Sequence, residues 1–533
     1  MERPALILLY ALTITLGVVA YWPSLSVPFY LDDFSSIVDN PLLTTDWGLL
    51  NQHYFGRQLT YYSFALTYEV FGEEPLVYHL TNMVLHLAVA ASVALLSKRL
   101  VTIVGGGRAY QHYCIFLTFA LFLLAPLNTQ AVTYIVQRAA LLSALFYVLA
   151  LWAYLGARTY GGKQRLIYTI AVLVFISMGA ISKQNIVTLP VAFLLLELFL
   201  FKTVSRLWQW VLYSVLAVGL AGLFAIDLIP NLSEHSLLHV IDQATRLQTE
   251  MPRYEYFAHQ LVILWQYIYK FFVPYPLLLE YPTTVYSATS SQVLLSGVGH
   301  LAVIVVAISL RQRLPLITVC VGLFYLAHSV ESALIPIVDL AFEHRTYLPN
   351  AFLAVLVGSC LAGLLSRYRL RTVVFVAIAL TLVFTFLTYK RNELWGKPIS
   401  FYRHELTHVG DNWRSYAALG LFEAKRGRFK HGVKWLRVAI KVGSERGQLQ
   451  AKPVIAYMDL LHKTGNTPRA KYIGVLAAKS FTRNQDKSMV WSKLAQYQVE
   501  HGNCDFAKGL IERSLQLDSS NIIAQRLARA CSP

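Results

Sequence analysis

Long apolar runs recur through the first three-quarters of the chain, and they constrain its fold more than any other feature. A helix that crosses a bilayer needs about 20 mainly apolar residues, and runs of that kind repeat from Ala5 to Phe386. Hydrophobic residues make up 56% of the 533 residues and charged residues only 14%, whereas a soluble domain carries roughly 25% charged residues. The sequence therefore predicts an all-α protein whose larger part is a polytopic membrane bundle.

The order of the apolar runs predicts about eleven spans and their orientation. The candidate spans are 5–22, 77–97, 112–126, 139–156, 167–182, 185–201, 208–228, 293–310, 315–330, 350–366 and 372–389. The short connections rich in Lys and Arg all fall on one side of this arrangement, and such connections face the cytoplasm. The N-terminus is thus expected in the cytoplasm and the C-terminus outside it. For parity, the apolar segment 259–273 must lie along the outer surface or re-enter.

The apolar runs stop after Tyr389, and residues 391–533 are expected to form a separate helical domain beside the 1–390 membrane domain. From Lys390 onward there are 25 basic and 11 acidic residues, so +14 of the net charge of +17 lies in this part. A basic surface beside a membrane suits anionic lipid headgroups or an acidic partner protein, and a simply solvated surface stays open. No motif of a nucleic-acid-binding protein is present.

A weak repeat runs through the C-terminal domain. Gly427, Gly465 and Gly502 recur 38 and 37 residues apart, slightly longer than the 34 residues of a tetratricopeptide (TPR) repeat. This spacing predicts three helical hairpins and a closing helix, stacked as a TPR-like α-solenoid. Cys504 opens the second helix of the third hairpin and Cys531 ends the closing helix. Outside the cytoplasm these two cysteines can oxidise, and we expect them to form a disulfide.

Charged and polar groups that are costly near a bilayer collect in the predicted outer connections. The candidates for a functional site are Asp32, Asp33, Arg57, His79, His86, Arg138, Lys183, Glu343, His344 and Arg345. Ionisable groups at this depth are functional candidates by default. Each also has a simpler explanation: the aspartates could cap a helix, the histidines could pack between helices, and the cations could bind lipid headgroups.

This mixture of groups suits the transfer of a sugar from a polyprenyl phosphate to a hydroxyl. A carboxylate takes the proton of the acceptor hydroxyl, and cations stabilise the negative charge that builds on the departing lipid phosphate. Asp32 and Asp33 together with phosphate oxygens would also suit a divalent cation, Mg²⁺ or Mn²⁺.

Five pieces of the chain, in order, resemble one family of membrane glycosyltransferases. They are Phe29-Tyr30-Leu31-Asp32-Asp33 with Asn40-Pro41, Tyr78-His79-Leu80-Thr81-Asn82 with His86, Pro126 with Ala131-Val132-Thr133-Tyr134-Ile135 and Gln137-Arg138, Ser182-Lys183-Gln184 with Pro190, and Glu343-His344-Arg345-Thr346-Tyr347-Leu348-Pro349. An acidic pair in the first outer loop is typical of the GT-C glycosyltransferases. The ordered set is most similar to the transmembrane-and-TPR O-mannosyltransferases and their bacterial relatives.

The resemblance implies roles for these residues. Asp33 would be the first choice for the catalytic base and Asp32 the second. Lys183, Arg138 and Arg345 would face the lipid phosphate, with His344 nearby. Where the family often has an acidic residue after this lysine, the chain has Gln184, which weakens the case for charge pairing at that turn.

The resemblance also implies the surroundings of the reaction. The donor would be a polyprenyl-phosphate sugar, and the acceptor a Ser or Thr of an exported protein, presented by the TPR-like domain. The protein would lie in a bacterial inner membrane with its repeats in the periplasm. The sequence does not specify the sugar or the acceptor.

Two other functions compete with this one. A transporter or lipid flippase with a TPR adaptor would explain the spans, but transporters place their polar residues near the bilayer midplane. A noncatalytic assembly scaffold would explain the repeats, although a single span would suffice to anchor it.

Overall fold

The computed structural model describes residues 3–44, 47–201, 251–281, 286–334, 336–337, 339–368 and 370–531. This described part consists of helices and their connections, and it contains no β-strand, which confirms the all-α prediction. The chain divides into two compact units, Met1–Gly396 and Lys397–Pro533. The sequence predicted the boundary six residues earlier, after residue 390.

The first unit contains fourteen α-helices in the part of the chain that the structure describes. They are α1 (Arg3–Tyr21), α2 (Trp47–His53), α3 (Gln58–Phe71), α4 (Pro75–Ile103), α5 (Arg108–Leu124), α6 (Thr129–Thr133), α7 (Arg138–Thr159), α8 (Gly162–Ala180), α9 (Leu189–Leu196), α10 (Arg253–Phe272), α11 (Ser291–Ser309), α12 (Pro315–His328), α13 (Tyr347–Leu365) and α14 (Leu370–Trp395). Short 3-10 or π-helical turns join or extend them at Trp22–Ser26, Phe34–Val38, Pro41–Thr44, Pro126–Asn128, Ile135–Gln137, Gln184–Thr188, Glu197–Phe201, Val330–Leu334 and Glu343–Thr346.

The predicted membrane bundle is confirmed. Among the described residues, 8 helices are long and apolar enough to cross a membrane, and α5 with the bent segment Pro126–Thr133 makes a ninth. The helix α12 is a shorter apolar helix of 14 residues. Each predicted span except 208–228 therefore coincides with an apolar helix, and 208–228 lies outside the described residues. The helix α10, which contains the segment 259–273, is not among those long apolar helices.

Packing in the bundle follows from small residues and internally bonded hydroxyls. A Cβ added at Gly358 on α13 would lie 2.7 Å from Thr118 Oγ1 on α5, so the glycine allows the two helices to approach closely. Thr13, Thr381 and Thr385 each donate to the backbone carbonyl four residues earlier. Such bonds satisfy the hydroxyl group in a medium without water. Between α5 and α6 the chain bends by 49° at Pro126, which lacks an amide hydrogen to continue the helix.

The second unit is a row of helical hairpins. Its helices are α15 (Pro398–His408), α16 (Trp413–Lys425), α17 (Phe429–Glu445), α18 (Ala451–Lys463), α19 (Thr467–Ser480), α20 (Asn484–Glu500), α21 (Cys504–Leu517) and α22 (Ile522–Ala530). Three hairpins, α16–α17, α18–α19 and α20–α21, and the closing helix α22 stand where the repeat spacing placed them.

The turn glycines and the cysteines behave as predicted. Gly427, Gly465 and Gly502 have φ angles of 77°, 82° and 76°, the left-handed conformation that glycine adopts without steric cost after a helix. Cys504 and Cys531 form a disulfide that closes 27 residues. The expected pairing is therefore confirmed, and it ties the closing helix to the third hairpin.

Replacing both Cys504 and Cys531 with serine is expected to destabilise this end of the solenoid by about 2–4 kcal/mol, because the open chain gains conformational entropy on unfolding. Limited proteolysis of the purified full chain should then cut at α22 sooner and at a lower temperature. The control is Cys360→Ser, since Cys360 is an unpaired, exposed cysteine. Equal protease resistance of wild type and double variant would contradict this prediction.

Candidate active site at one end of the membrane bundle

The acidic pair lies on a strained turn directly after the first span. Leu31 has a φ of 35°, which is unfavourable for a residue with a branched side chain and is found mainly where a functional site requires it. The Asp33 amide donates to Tyr30 O at 2.8 Å. The Asp33 side chain in turn accepts from the Tyr30 amide at 3.0 Å and from the Val136 amide at 2.8 Å. Both carboxyl oxygens of Asp33 thus accept from backbone amides. One donor, Tyr30, belongs to the turn itself, and the other, Val136, comes from the segment before α7.

The two aspartates have different environments. Asp33 is 1% exposed, whereas Asp32 is exposed. Burial raises the pKa of Asp33 to about 8, against the opposing effect of its two amide donors and with a smaller contribution from the charge of Asp32. Asp33 is therefore held inside the protein, and Asp32 is the carboxylate that reaches the surface. Two neighbouring acids in different environments are a common basis for different catalytic roles.

Aromatic residues hold the turn in place. The Asp32 amide donates to the Tyr134 hydroxyl at 2.9 Å. Tyr134 stacks on Trp395 with ring centroids 6.2 Å apart, and the Tyr30 hydroxyl donates to Trp395 O at 2.6 Å. The turn is thereby fixed between the start of α7 and the end of α14, while the Asp32 side chain stays outside this packing.

Arg138 is enclosed at the start of α7. It is fully buried, and its guanidinium donates to Asn82 Oδ1 at 2.9 Å, to Ser63 O at 3.1 Å and to Tyr78 O at 3.3 Å. It also lies 4.6 Å from the centre of the Phe64 ring. These contacts connect α3, α4 and α7. The expectation that Arg138 faces a lipid phosphate has no support in this geometry, because its side chain is closed in by protein.

The two histidines of α4 are also buried. His79 donates through Nε2 to Val27 O at 2.8 Å, which ties α4 to the segment after the first span. His86 donates through Nε2 to Leu123 O at 3.0 Å and accepts from the Tyr347 hydroxyl at 2.7 Å. Their geometry is that of packing residues between helices, one of the two explanations that the sequence left open.

Lys183 is paired with a carboxylate from a distant part of the chain. Lys183 Nζ lies 2.5 Å from Glu331 Oε1, and Asn185 Nδ2 donates to Glu331 Oε2 at 3.2 Å. Although burial acts to raise the pKa of Glu331, the charges of Lys183 and Arg345 lower it to about 2. Burial lowers the pKa of Lys183, and Glu331 opposes that effect. Each charge therefore stabilises the other inside the protein.

Glu331 was not predicted from the sequence. The family resemblance offers an acidic neighbour for Lys183 only at position 184, where the chain has glutamine, and this weakened the case for charge pairing at that turn. The available signal was a lone carboxylate immediately after an apolar segment, in Ser329-Val330-Glu331. Glu331 lies in the turn Val330–Leu334 after α12, and its backbone carbonyl accepts from the Tyr256 hydroxyl at 2.7 Å.

Three further cationic or imidazole side chains surround this pair. Arg57 is exposed at the start of α3, and the next residues dock on the turn that carries Lys183, since the Leu59 amide donates to Ile181 O at 2.9 Å. The charge of Arg57 acts on both Lys183 and His344. His344 is half-buried, with its backbone amide donating to Gln130 Oε1 at 2.7 Å. Arg345 is buried and donates to Leu340 O at 3.2 Å.

Glu343 supports the site from inside. It is fully buried and accepts from the Leu278 amide at 2.6 Å and from the Tyr281 hydroxyl at 2.7 Å. Its second oxygen lies 3.7 Å from the Arg391 guanidinium. The carboxylate thus joins the segment after α10 to the end of α14, and it is closed off from solvent.

The contacts form one continuous path at one end of the bundle. The acidic turn contacts residues 134–136, Arg138 links α7 to α3, α3 docks on the Lys183 turn, and Lys183 reaches Glu331 and through it Arg345. We give the name charged rim to four groups of this path: the exposed Asp32 and Arg57, the half-buried His344 and the buried Lys183. Candidate side chains from separate connections therefore lie along one path of contacts, and their role in a functional site stays a prediction.

The arrangement does not fit a resident divalent cation. Among the residues that the structure describes, no group of three or more His, Cys, Asp or Glu side chains could hold a metal ion. The oxygens of Asp33 are occupied by amide donors, so the pair offers one free carboxylate. The Mg²⁺ or Mn²⁺ site stays a prediction without a ligand set in this part of the chain.

Comparisons with known proteins give relatives of one kind. No family model and no solved structure matches the chain. It is 32% identical to the protein O-mannosyl-transferase TMTC3 of Homo sapiens over 33% of the chain and 20% of that protein. It is 23% identical to the protein O-mannosyl-transferase F38B6.6 of Caenorhabditis elegans over 80% of the chain and 62% of that protein. Identity to TMTC2 of Mus musculus is 32% over 27% of the chain and 19% of that protein.

The matched regions fall short of two-thirds of these relatives' own length, ranging from about a fifth to 62%. Within those regions the predicted resemblance is confirmed. The chain is a sequence relative of the transmembrane-and-TPR protein O-mannosyl-transferases.

Proposed function

We propose that the chain is a membrane glycosyltransferase that moves a sugar from a polyprenyl-phosphate carrier to a Ser or Thr hydroxyl of a protein. The observation that carries this proposal is the charged rim, in which an exposed carboxylate and several cations lie along one contact path at one end of an apolar bundle. The names of the relatives support mannose as the sugar. A transporter would gather its polar groups near the middle of the bundle, which the rim does not do.

In the proposed reaction Asp32 is the general base. The acceptor oxygen attacks the anomeric carbon of the sugar, its proton passes to the Asp32 carboxylate, and the bond between that carbon and the phosphate oxygen breaks. The electron pair of that bond leaves with the lipid phosphate. This order of the two aspartates reverses the one implied by the resemblance, because Asp33 is buried and both of its carboxyl oxygens accept from backbone amides. Asp33 positions the turn that presents Asp32.

The cations of the rim act on the departing phosphate. The donor phosphate is a diester with one negative charge, and the released monoester carries about −1.5 to −2 at neutral pH. Arg57 and Lys183, with His344 beside them, favour the added charge as it develops. No step of the proposed reaction uses a metal ion, since the residues that the structure describes do not form a site for one.

We further propose that the rim faces away from the cytoplasm, as the basic connections predict, and that the solenoid presents the acceptor protein. Its excess of basic residues suits acidic acceptor segments.

The function is tested by adding the purified full chain in lipid nanodiscs to polyprenyl-phosphate mannose with an isotopic label and an acceptor mixture of exported proteins from the host. Label on Ser or Thr, located by mass spectrometry and absent when the chain is left out of the reaction, is the expected result. Movement of the lipid between leaflets without transfer of the label to protein would overturn the proposal in favour of a flippase.

A further inference from the structure

In the charged rim, Lys183 is already paired with the carboxylate of Glu331. Lys183 Nζ lies 2.5 Å from Glu331 Oε1, and the two side chains are 6% and 15% exposed. A phosphate that contacts Lys183 therefore has to compete with a carboxylate already in place.

Glu331 cannot move far when it loses this contact. Its backbone carbonyl accepts from the Tyr256 hydroxyl at 2.7 Å, and its second carboxylate oxygen accepts from Asn185 at 3.2 Å. Tyr256 lies on α10, whereas Asn185 lies two residues after Lys183 in the same segment. A displaced Glu331 carboxylate thus stays beside the phosphate that replaces it, and the two negative charges repel each other.

We propose that Glu331 is the resident counter-anion of Lys183. In this role it lowers the affinity of the charged rim for the released polyprenyl phosphate. The proposal rests on the proposed function for the identity of that lipid. Because the released monoester carries more negative charge than the donor diester, repulsion by Glu331 disfavours the product more than the donor. Glu331 is thus a positioning residue that promotes product release, and it makes no contact with the sugar.

The test is the affinity of the purified full chain for undecaprenyl phosphate, measured by native mass spectrometry in detergent. Glu331→Gln removes the charge and keeps the size, so the affinity should rise at least about tenfold, as expected for relief of one close like-charge contact. Affinity for the uncharged alcohol undecaprenol should not change. A loss of structural support would weaken binding of both lipids, so tighter binding of the phosphate alone separates the two explanations.

The chain offers a matched control. Glu197 also lies 2.5 Å from a cation, Arg158, and its side chain is also 15% exposed. Glu197→Gln should leave the affinity for undecaprenyl phosphate unchanged. In the double variant Lys183→Gln with Glu331→Gln, the affinity for undecaprenyl phosphate should not rise. The reason is that Lys183, the cation that Glu331→Gln leaves unpaired, is also removed.

Kinetics supply a second measurement. With Glu331→Gln, a single turnover should be no slower than in wild type, whereas multiple turnovers should slow as undecaprenyl phosphate accumulates. If Glu331→Gln does not fold, Glu331→Asp is the alternative. It keeps a carboxylate but moves it away from Lys183 by one methylene, and the affinity for undecaprenyl phosphate should rise by a smaller factor.

Unchanged or weaker phosphate binding in the folded variant would overturn the role of Glu331. Tighter binding without any sugar transfer by wild type would instead overturn the proposed function and leave Glu331 only as the counter-anion that limits phosphate binding at Lys183.

Discussion

Replacing Asp32 with asparagine is expected to lower the rate of sugar transfer by about 10²–10⁴-fold, the usual contribution of a general base. The fold should persist, because the Asp32 side chain is exposed and its anchoring contact, from the backbone amide to Tyr134, does not depend on the carboxylate. Transfer of labelled sugar in the purified system measures the effect, and thermal unfolding confirms that the variant is intact.

Asp39 provides the control for Asp32. It is another exposed aspartate in the same connection, and Asp39→Asn should transfer sugar at the wild-type rate. Full activity of Asp32→Asn would remove the base from the proposed mechanism. If Asp33→Asn alone abolished transfer in a well-folded protein, the order of the two aspartates implied by the family resemblance would be restored.

The second large effect concerns stability. Replacing Arg138 with methionine should lower the free energy of unfolding by about 3 kcal/mol, because it removes a buried guanidinium with several hydrogen bonds. The side-chain oxygen of Asn82 loses this donor, whereas the Ser63 carbonyl still accepts from the Thr67 hydroxyl. The variant should yield little folded protein and unfold at a clearly lower temperature in detergent.

Arg57→Met is the comparison for Arg138, since Arg57 is an exposed arginine at the start of α3. A surface change of this kind alters stability by no more than about 0.5 kcal/mol, so its unfolding temperature should match that of wild type. A stable Arg138→Met variant with weakened binding of polyprenyl phosphate would contradict the structural role and return Arg138 to the phosphate.

Much of the fold follows from local sequence signals. Spans are set by runs of apolar residues, and the turns of the solenoid by glycines that adopt positive φ, so both were predictable without knowledge of tertiary contacts. The disulfide was predictable because the repeat pattern places Cys504 and Cys531 on adjacent antiparallel helices.

Which charged residues of the site are enclosed by protein and which are exposed was not predictable in the same way. A charged residue at the end of a span has the same appearance in sequence whether it is enclosed, as Arg138 is, or exposed, as Arg57 is. The difference depends on Asn82, Ser63 and Tyr78, which belong to two other helices. The partner of Lys183 likewise comes from a distant segment, because tertiary packing brings the turn after α12 to the turn after α8.

The central claim is that an exposed carboxylate and a phosphate-binding cation group belong to one site at one end of the bundle. It is tested most directly by a cryo-EM structure of the wild-type chain in nanodiscs with bound polyprenyl-phosphate mannose. We predict the phosphate in contact with Lys183 and Arg57 and the anomeric carbon on the side of Asp32. Density for the phosphate at the opposite end, beside Arg158 and Glu197, or out of reach of Asp32, would contradict it.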